Sequence, residues 1–225
     1  MSKTLASDVL LENFEGSLRS RKKQRTRQEI ADAALLLFAK QGFDAVTVAE
    51  IAAAAQVSEQ TVYNYFKTKE SLVFDEEEAF ETRFAAMVRE RPKTMLLLDA
   101  VRSEAHAFLS ALSRRPAGAQ RRGSMPYLVA TSAPLRRHWL AVTERHGHAI
   151  ARALVEEGGG AVSLSEAKVL GAALIAVFAV IIDEVGQVMK ADGDVAVRIE
   201  ALRPQIDGAL DRMANGFKAA RAKAS

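Results

Sequence analysis

The stretch "TVAEIAAAAQVSEQTVYNYFKTKESL", Thr47 to Leu72, decides how this chain reads. Thr47 followed three residues later by Glu50 is a capping box, which opens a helix running to about Ala55. Ser58 is a second cap, and a short helix follows it to about Phe66. Ile51 and Ala52 turn toward a core, Val57 plugs the turn, and Val62, Phe66 and part of Tyr65 pack back from the second helix. Two short helices joined by a turn of about three residues, with a small residue (Ala52) where they cross, form a helix-turn-helix.

Packing leaves Glu59, Gln60, Thr61, Tyr63, Asn64 and Lys67 exposed on the second helix. Such a unit lays that helix in a major groove of DNA, amino end first. Gln60 and Asn64 are four apart and share a face, and both amides can pair with an adenine edge. The Thr61 methyl can touch a thymine methyl, and Tyr63 can reach a phosphate or a thymine. Lys67 and Lys69 suit phosphates, as does the amino end of a helix expected to begin near Lys69 with Thr68 as its cap.

The charge pattern agrees. "RSRKKQRTR", Arg19 to Arg27, holds six Lys/Arg among nine residues, and Arg25 stands in this arm beside the expected DNA contacts. Arg19 to Lys69 carries nine bases against five acids, whereas residues 70–225 carry 21 against 20, so the positive charge lies in the first third of the chain. A basic arm next to a helix-turn-helix is the footprint of a protein that holds a polyanion.

The remainder reads as helical. Alanine is abundant, periods near 3.6 recur, and no period-two run or Asn-Gly turn argues for a strand. The first clear helix is expected over about Arg25 to Lys40, with Ile30, Ala33, Ala34, Leu37 and Phe38 on its apolar face and Gly42 ending it. One helix is expected from Lys69 to Pro92, then others over 94–114, 124–131 and 134–157. "RRPAGAQRRG" reads as a loop. Ser163 and Glu166 form a second capping box opening a helix to about Lys190, and a final helix from Val195 restarts at Pro204 and fades after Phe217. The run "VLGAALIAVFAVII" is 14 residues long, short of the roughly 18 to 20 that span a bilayer, so no membrane role is expected. The chain has no cysteine, which removes disulfides and thiolate chemistry, and no secretory leader is read at the start; a reducing cytoplasm fits.

"RQEIADAALLLFAKQGFDAVTVAEIAAAAQVSEQTVYNYFKTKESLVF" resembles the amino-terminal domain of TetR-family transcriptional regulators. The resemblance covers about Arg25 to Phe74 and fades after about residue 80. It implies an all-α protein: a three-helix DNA-binding domain joined to a larger helical ligand-binding and dimerisation domain, working as a homodimer on a palindromic operator. The corresponding division here is an extension over 1–20, the helix-turn-helix domain over 21–68, and the second domain over 69–225. By resemblance Thr47 meets a phosphate at a helix start, Thr61, Tyr63 and Lys69 fall at usual DNA-contact positions, and Gln60 and Asn64 at variable base-reading ones. Two residues depart from the pattern. Gln56 stands where the turn usually has glycine, which asks a non-glycine residue for a positive φ. Tyr65 stands where many members have histidine.

For an effector, the candidate residues are Phe108, Tyr127, His138, Trp139 and Phe178, although apolar helical faces are plain core by default. For a dimer interface they are Leu174, Phe178, Leu202, Ile206, Leu210, Met213 and Phe217 on the last two helices, with an intramolecular core as the rival reading. No catalytic constellation, metal set or cofactor motif is found: Glu156 and Glu157 diverge on a helix, and "GGG" at 158–160 lacks the Lys-Ser/Thr of a phosphate loop. The expected function is a ligand-responsive regulator, a repressor by resemblance, released from its operator by a small molecule. The alternatives are an activator or a DNA-packaging protein without an effector.

Overall fold

Helix α1 (Lys3–Gln41) begins far ahead of the expected Arg25, because no proline interrupts the segment and the basic run continues the helix. The computed structural model describes the backbone of residues 3–75, 77–114, 119–191 and 194–223, with side chains over 21–75, 77–114, 121–191 and 194–215. Gly42 closes α1 at φ +81, its amide donating to the Phe38 carbonyl at 2.9 Å. That left-handed terminus suits glycine, which has no Cβ to clash.

Helices α2 (Val48–Ala54) and α3 (Glu59–Tyr65) form as expected, α2 with its Thr47–Glu50 capping box and α3 with Ser58 accepting from the Thr61 amide. Gln56 in the turn between them takes φ +56. Ile30, Ala34, Phe38, Ile51, Ala52, Val62 and Phe66 make the core beneath them. Ala33 and Leu37 are only half-buried. Ala31 and Ala39 are buried instead, because a second side of α1 faces the rest of the chain.

The continuous helix expected from Lys69 does not form. Thr68 and Ser71 bond reciprocally around a 3₁₀ turn, Glu70–Leu72, and α4 (Glu77–Arg89) starts only at Glu77. The reason is burial: Leu72, Val73 and Phe74 are all in the core. Three consecutive side chains on a helix fan through about 200° and cannot share one face, so the chain turns to bury all three.

After α5 (Leu97–Ser113) the segment read as a loop contains a one-turn helix, α6 (Ala119–Arg122). Then come α7 (Met125–Thr131), α8 (Ala133–Glu157), α9 (Leu164–Lys190), α10 (Val195–Glu200) and α11 (Arg203–Lys223). Among the described residues there is no strand. Helix α9 is the axle of the second domain, with α8, α7, α5 and α10 packed around it. Helices α8 and α9 cross very closely: a Cβ on Gly171 would lie 2.3 Å from the Gly147 carbonyl oxygen.

By length and composition α9 passes as a membrane-crossing helix, with a mean hydropathy of 2.2 over 18 residues. The 18-residue window extends past the uninterrupted 14-residue apolar run because it admits flanking charged residues. Its Leu174, Ile175, Phe178, Ile181, Ile182 and Val185 are all buried in the core.

Within one chain the expected dimer residues are drawn inward, as the rival core reading has it. Leu174, Phe178, Leu202, Ile206 and Leu210 are at most 9% exposed within one chain, and Met213 packs against the same core. The side chain of Phe217 lies outside the described residues. Baring even two of these side chains for a partner would cost about 1.5–3 kcal/mol each. Helix α11 is occupied in holding α5, through Arg102 to Asp207 at 2.7 Å and His106 to Asp207 at 2.9 Å.

Candidate nucleic-acid interface and adjoining cavity

Helix α3 presents Glu59, Gln60, Tyr63 and Asn64 to solvent while Val62 is 1% exposed beneath them. The Gln60 amide donates to the Asn64 side-chain oxygen at 3.2 Å, so the two form one linked hydrogen-bonding edge. Tyr63 is 43% exposed on the same helix. Thr61 is half-buried and its hydroxyl lies 2.8 Å from that of Ser58. Lys67 is exposed just past the end of the helix, and Tyr65 packs partly against the core.

Other expected contacts are committed elsewhere in the fold. The Thr47 hydroxyl accepts from the Glu50 amide at 3.2 Å and donates its hydrogen to the Glu50 carboxylate at 2.8 Å. Those bonds from the Thr47 backbone and side chain hold the Glu50 carboxyl below its ordinary value. A phosphate oxygen only accepts, so meeting Thr47 would require the hydroxyl to give up Glu50. Lys69 folds back on the domain: its ammonium donates to the carbonyls of Phe43 at 3.0 Å and Val46 at 2.9 Å and lies over the Phe43 ring. The helix amino end expected there as a phosphate seat is absent, since a 3₁₀ turn occupies the position. Arg25 is exposed and paired with Glu29 one turn on.

Arg27, read from sequence only as the last residue of the basic arm, is the residue that joins the interface to what lies behind it. Its guanidinium donates to the Tyr65 carbonyl at 2.8 Å, pairs with Asp75 at 2.6 Å and stacks over the Phe66 ring.

Behind α1 lies a cavity of about 190 Å³. Its walls include Ala31 and Leu35 of α1, Leu72–Asp75 of the connecting turn, Phe80 and Phe84 of α4, and Trp139 and His146 of α8. Of the expected effector residues, Phe108, Trp139 and Phe178 line it. Tyr127 and His138 do not line it. Tyr127 packs between the two cores, and His138 stacks on Phe74 at 5.0 Å. Sequence reasoning missed His146, which is 2% exposed. Burial pushes its basicity below the ordinary imidazole value, against the opposing pull of Glu77 and Glu81.

Residues 30–75 match the family described as bacterial regulatory proteins, tetR family. The chain is 37% identical over 75 residues to the HTH-type transcriptional regulator TcmR of Streptomyces glaucescens, a match covering 33% of each chain. The chain thus spans a third or less of the length of the curated relatives it matches. Among solved structures it is similar to NalD, the secondary repressor of the MexAB-OprM multidrug efflux pump in Pseudomonas aeruginosa, with a TM-score of 0.53 at 16% identity over 84% of this chain and 96% of that one. It is also similar to the transcriptional regulator FadR of Bacillus subtilis, solved with stearoyl-CoA, with a TM-score of 0.52 at 18% identity over 81% and 96%. At these identities the structural likeness carries the fold, while the amino-terminal match carries the family. The amino-terminal domain of this chain is that of the TetR family of helix-turn-helix transcriptional regulators.

Proposed function

We propose that this protein is a ligand-responsive repressor that binds a palindromic operator as a cytoplasmic homodimer and leaves it when a small molecule fills the cavity behind α1. The observation that carries the reading is the position of that cavity: α1 and the Leu72–Asp75 turn are two of its walls, and both hold the DNA-reading helices. A molecule seated there pushes on the reading head directly. The push falls on α1 and this turn, since no helix begins near Lys69 to carry it.

Release requires the effector to bind the DNA-incompetent arrangement better than the competent one. Coupling of about 1–3 kcal/mol lowers operator affinity several-fold to about a hundredfold. A lone helix-turn-helix reads too few base pairs for a genomic site, so a second copy supplies the specificity.

The pairing face that fits is the outer side of α8 and α9. Val169, Ala172, Ala176 and Val180 are exposed along α9 at steps of three and four, and Leu140 is 63% exposed on α8 beside them. Small side chains on two long, closely crossed helices let a symmetric partner approach. The deciding experiment is a mobility shift with the DNA upstream of the protein's own gene, repeated with a small-molecule panel. Selective retention that one compound abolishes supports the proposal. Retention indifferent to sequence and to every compound refutes it and favours a packaging role.

A further inference from the structure

The cavity's lining narrows what can enter it. Phe84 meets Phe178 at 4.6 Å, Phe108 meets Phe178 at 6.3 Å and Phe80 at 6.0 Å, and Trp139 lies on the same wall. An apolar cavity of about 150 Å³ admits a benzene ring; at about 190 Å³ this one admits a substituted ring or two fused rings.

The charged groups of the lining are already matched. Asp75 pairs with Arg27 at 2.6 Å, and Glu77 with Arg145 at 2.8 Å. The Gln28 amide donates to Asp32 at 2.9 Å. Two lining groups still lack a hydrogen bond: Asp75 Oδ1, whose charge is met by Arg27, and the ring of His146, which has no charged partner among the described residues. Neither of its ring nitrogens has a hydrogen-bond partner among the described residues. The Glu77 backbone is close enough to favour the protonated ring but does not meet hydrogen-bond geometry. A neutral imidazole offers one donor and one acceptor, and a buried polar group of this kind is normally bonded. A permanently charged ligand would meet no free counter-charge here, and burying an unpaired charge is far more costly than burying a hydroxyl.

We propose that the cavity takes an uncharged aromatic alcohol, a phenol of one or two rings, whose ring packs among Phe84, Phe108, Phe178 and Trp139 and whose hydroxyl bonds His146. This assignment rests on the reading of the chain as an effector-controlled regulator. Because its test uses the full-length protein without DNA, failure leaves the operator experiment untouched.

Calorimetric titration with 2-naphthol, naphthalene, 2-naphthoate and 2-naphthylmethylammonium at pH 7.5 separates the possibilities. The expected result is one 2-naphthol per chain, bound at least tenfold more tightly than the hydrocarbon or either ion. His146→Phe keeps a flat ring but removes both nitrogens, so it should bind naphthalene as before and lose the tenfold preference. Should that variant not fold, the ring-nitrogen resonances of His146 in the wild-type protein take its place, and they should shift on adding 2-naphthol. Equal affinity for naphthol and naphthalene, tighter binding of an ion, no binding of any probe, or unmoved imidazole resonances would each overturn the assignment.

Discussion

Arg27 and Asp75 meet at 2.6 Å, so that one guanidinium on α1 holds the turn leading into the second domain while its other nitrogen holds the carboxyl end of α3. The reading helix, the scaffold helix and the connecting turn therefore share a single pin. Arg27→Ala removes a charged hydrogen bond, an ion pair and a ring contact. It should lower stability by about 1–3 kcal/mol in urea unfolding. A double-mutant cycle with Asp75→Ala should show non-additive losses; strictly additive losses would mean that the pair is idle.

Lys69 should behave as a structural residue. Lys69→Met strips two bonds from the carbonyls that follow α1, and unfolding should show a loss of about 1.5–3 kcal/mol, the range for hydrogen bonds to charged groups. The salt slope of operator binding should stay close to that of the wild type. A slope reduced by about one unit would return Lys69 to the phosphate backbone.

Gln60 and Asn64 should act as a unit. Asn64→Ala should relax base preference at one operator position by about 1–3 kcal/mol in selection from a randomised site. Because the Gln60 amide rests on Asn64, the single change should also disturb the base read by Gln60. Two fully independent footprints would contradict the shared edge.

Ala176→Glu places a charge on the outer stripe of α9 without touching the core. Light scattering should show a monomer, and operator affinity should fall steeply while the melting profile keeps a cooperative transition. A dimer of undiminished stability would move the pairing face elsewhere.

Burial keeps His146 neutral below its ordinary value of 6.5. An unfolded chain takes up a proton as pH falls through 6.5 and the folded chain does not, so stability should decline with falling pH from there. Glu50, Glu166, Glu200 and Asp207 are lowered by hydrogen bonding, and the stability they add is lost only below about their ordinary values of 4.5 and 3.8. Melting temperatures between pH 7 and 5, compared between the wild type and a variant lacking His146, should therefore report its share. His146→Phe should flatten that part of the profile, and an unaltered profile would clear His146 of it.

Local rules were sufficient for the reading head. Thr47, Ser58 and Ser163 are caps whose partners lie three residues away, and Gln56 takes the positive φ that its place in the turn demanded. Long-range pairing was not readable. The bond from Lys69 to Phe43 spans 26 residues and that from Arg27 to Tyr65 spans 38. Nothing in a stretch of sequence says that a lysine near a recognition helix turns inward. The final helices left two readings open for a related reason. Leu202, Ile206 and Leu210 carry a periodic apolar stripe whether it meets the same chain or another, and only packing decides which. The cavity joins residues from α1 to α9, and His146 looked like one more histidine on a helix until the neighbouring rings closed around it.

Trp139 is the chain's only tryptophan, and its indole lies nearly parallel to the Phe74 ring, 6.0 Å away at 4°, on the seam between the two domains. The molecule thus carries a single native fluorophore at the place where chemical sensing would be converted into motion. Its emission and lifetime should change when that seam opens, which lets stopped-flow optics time the response without attaching any dye.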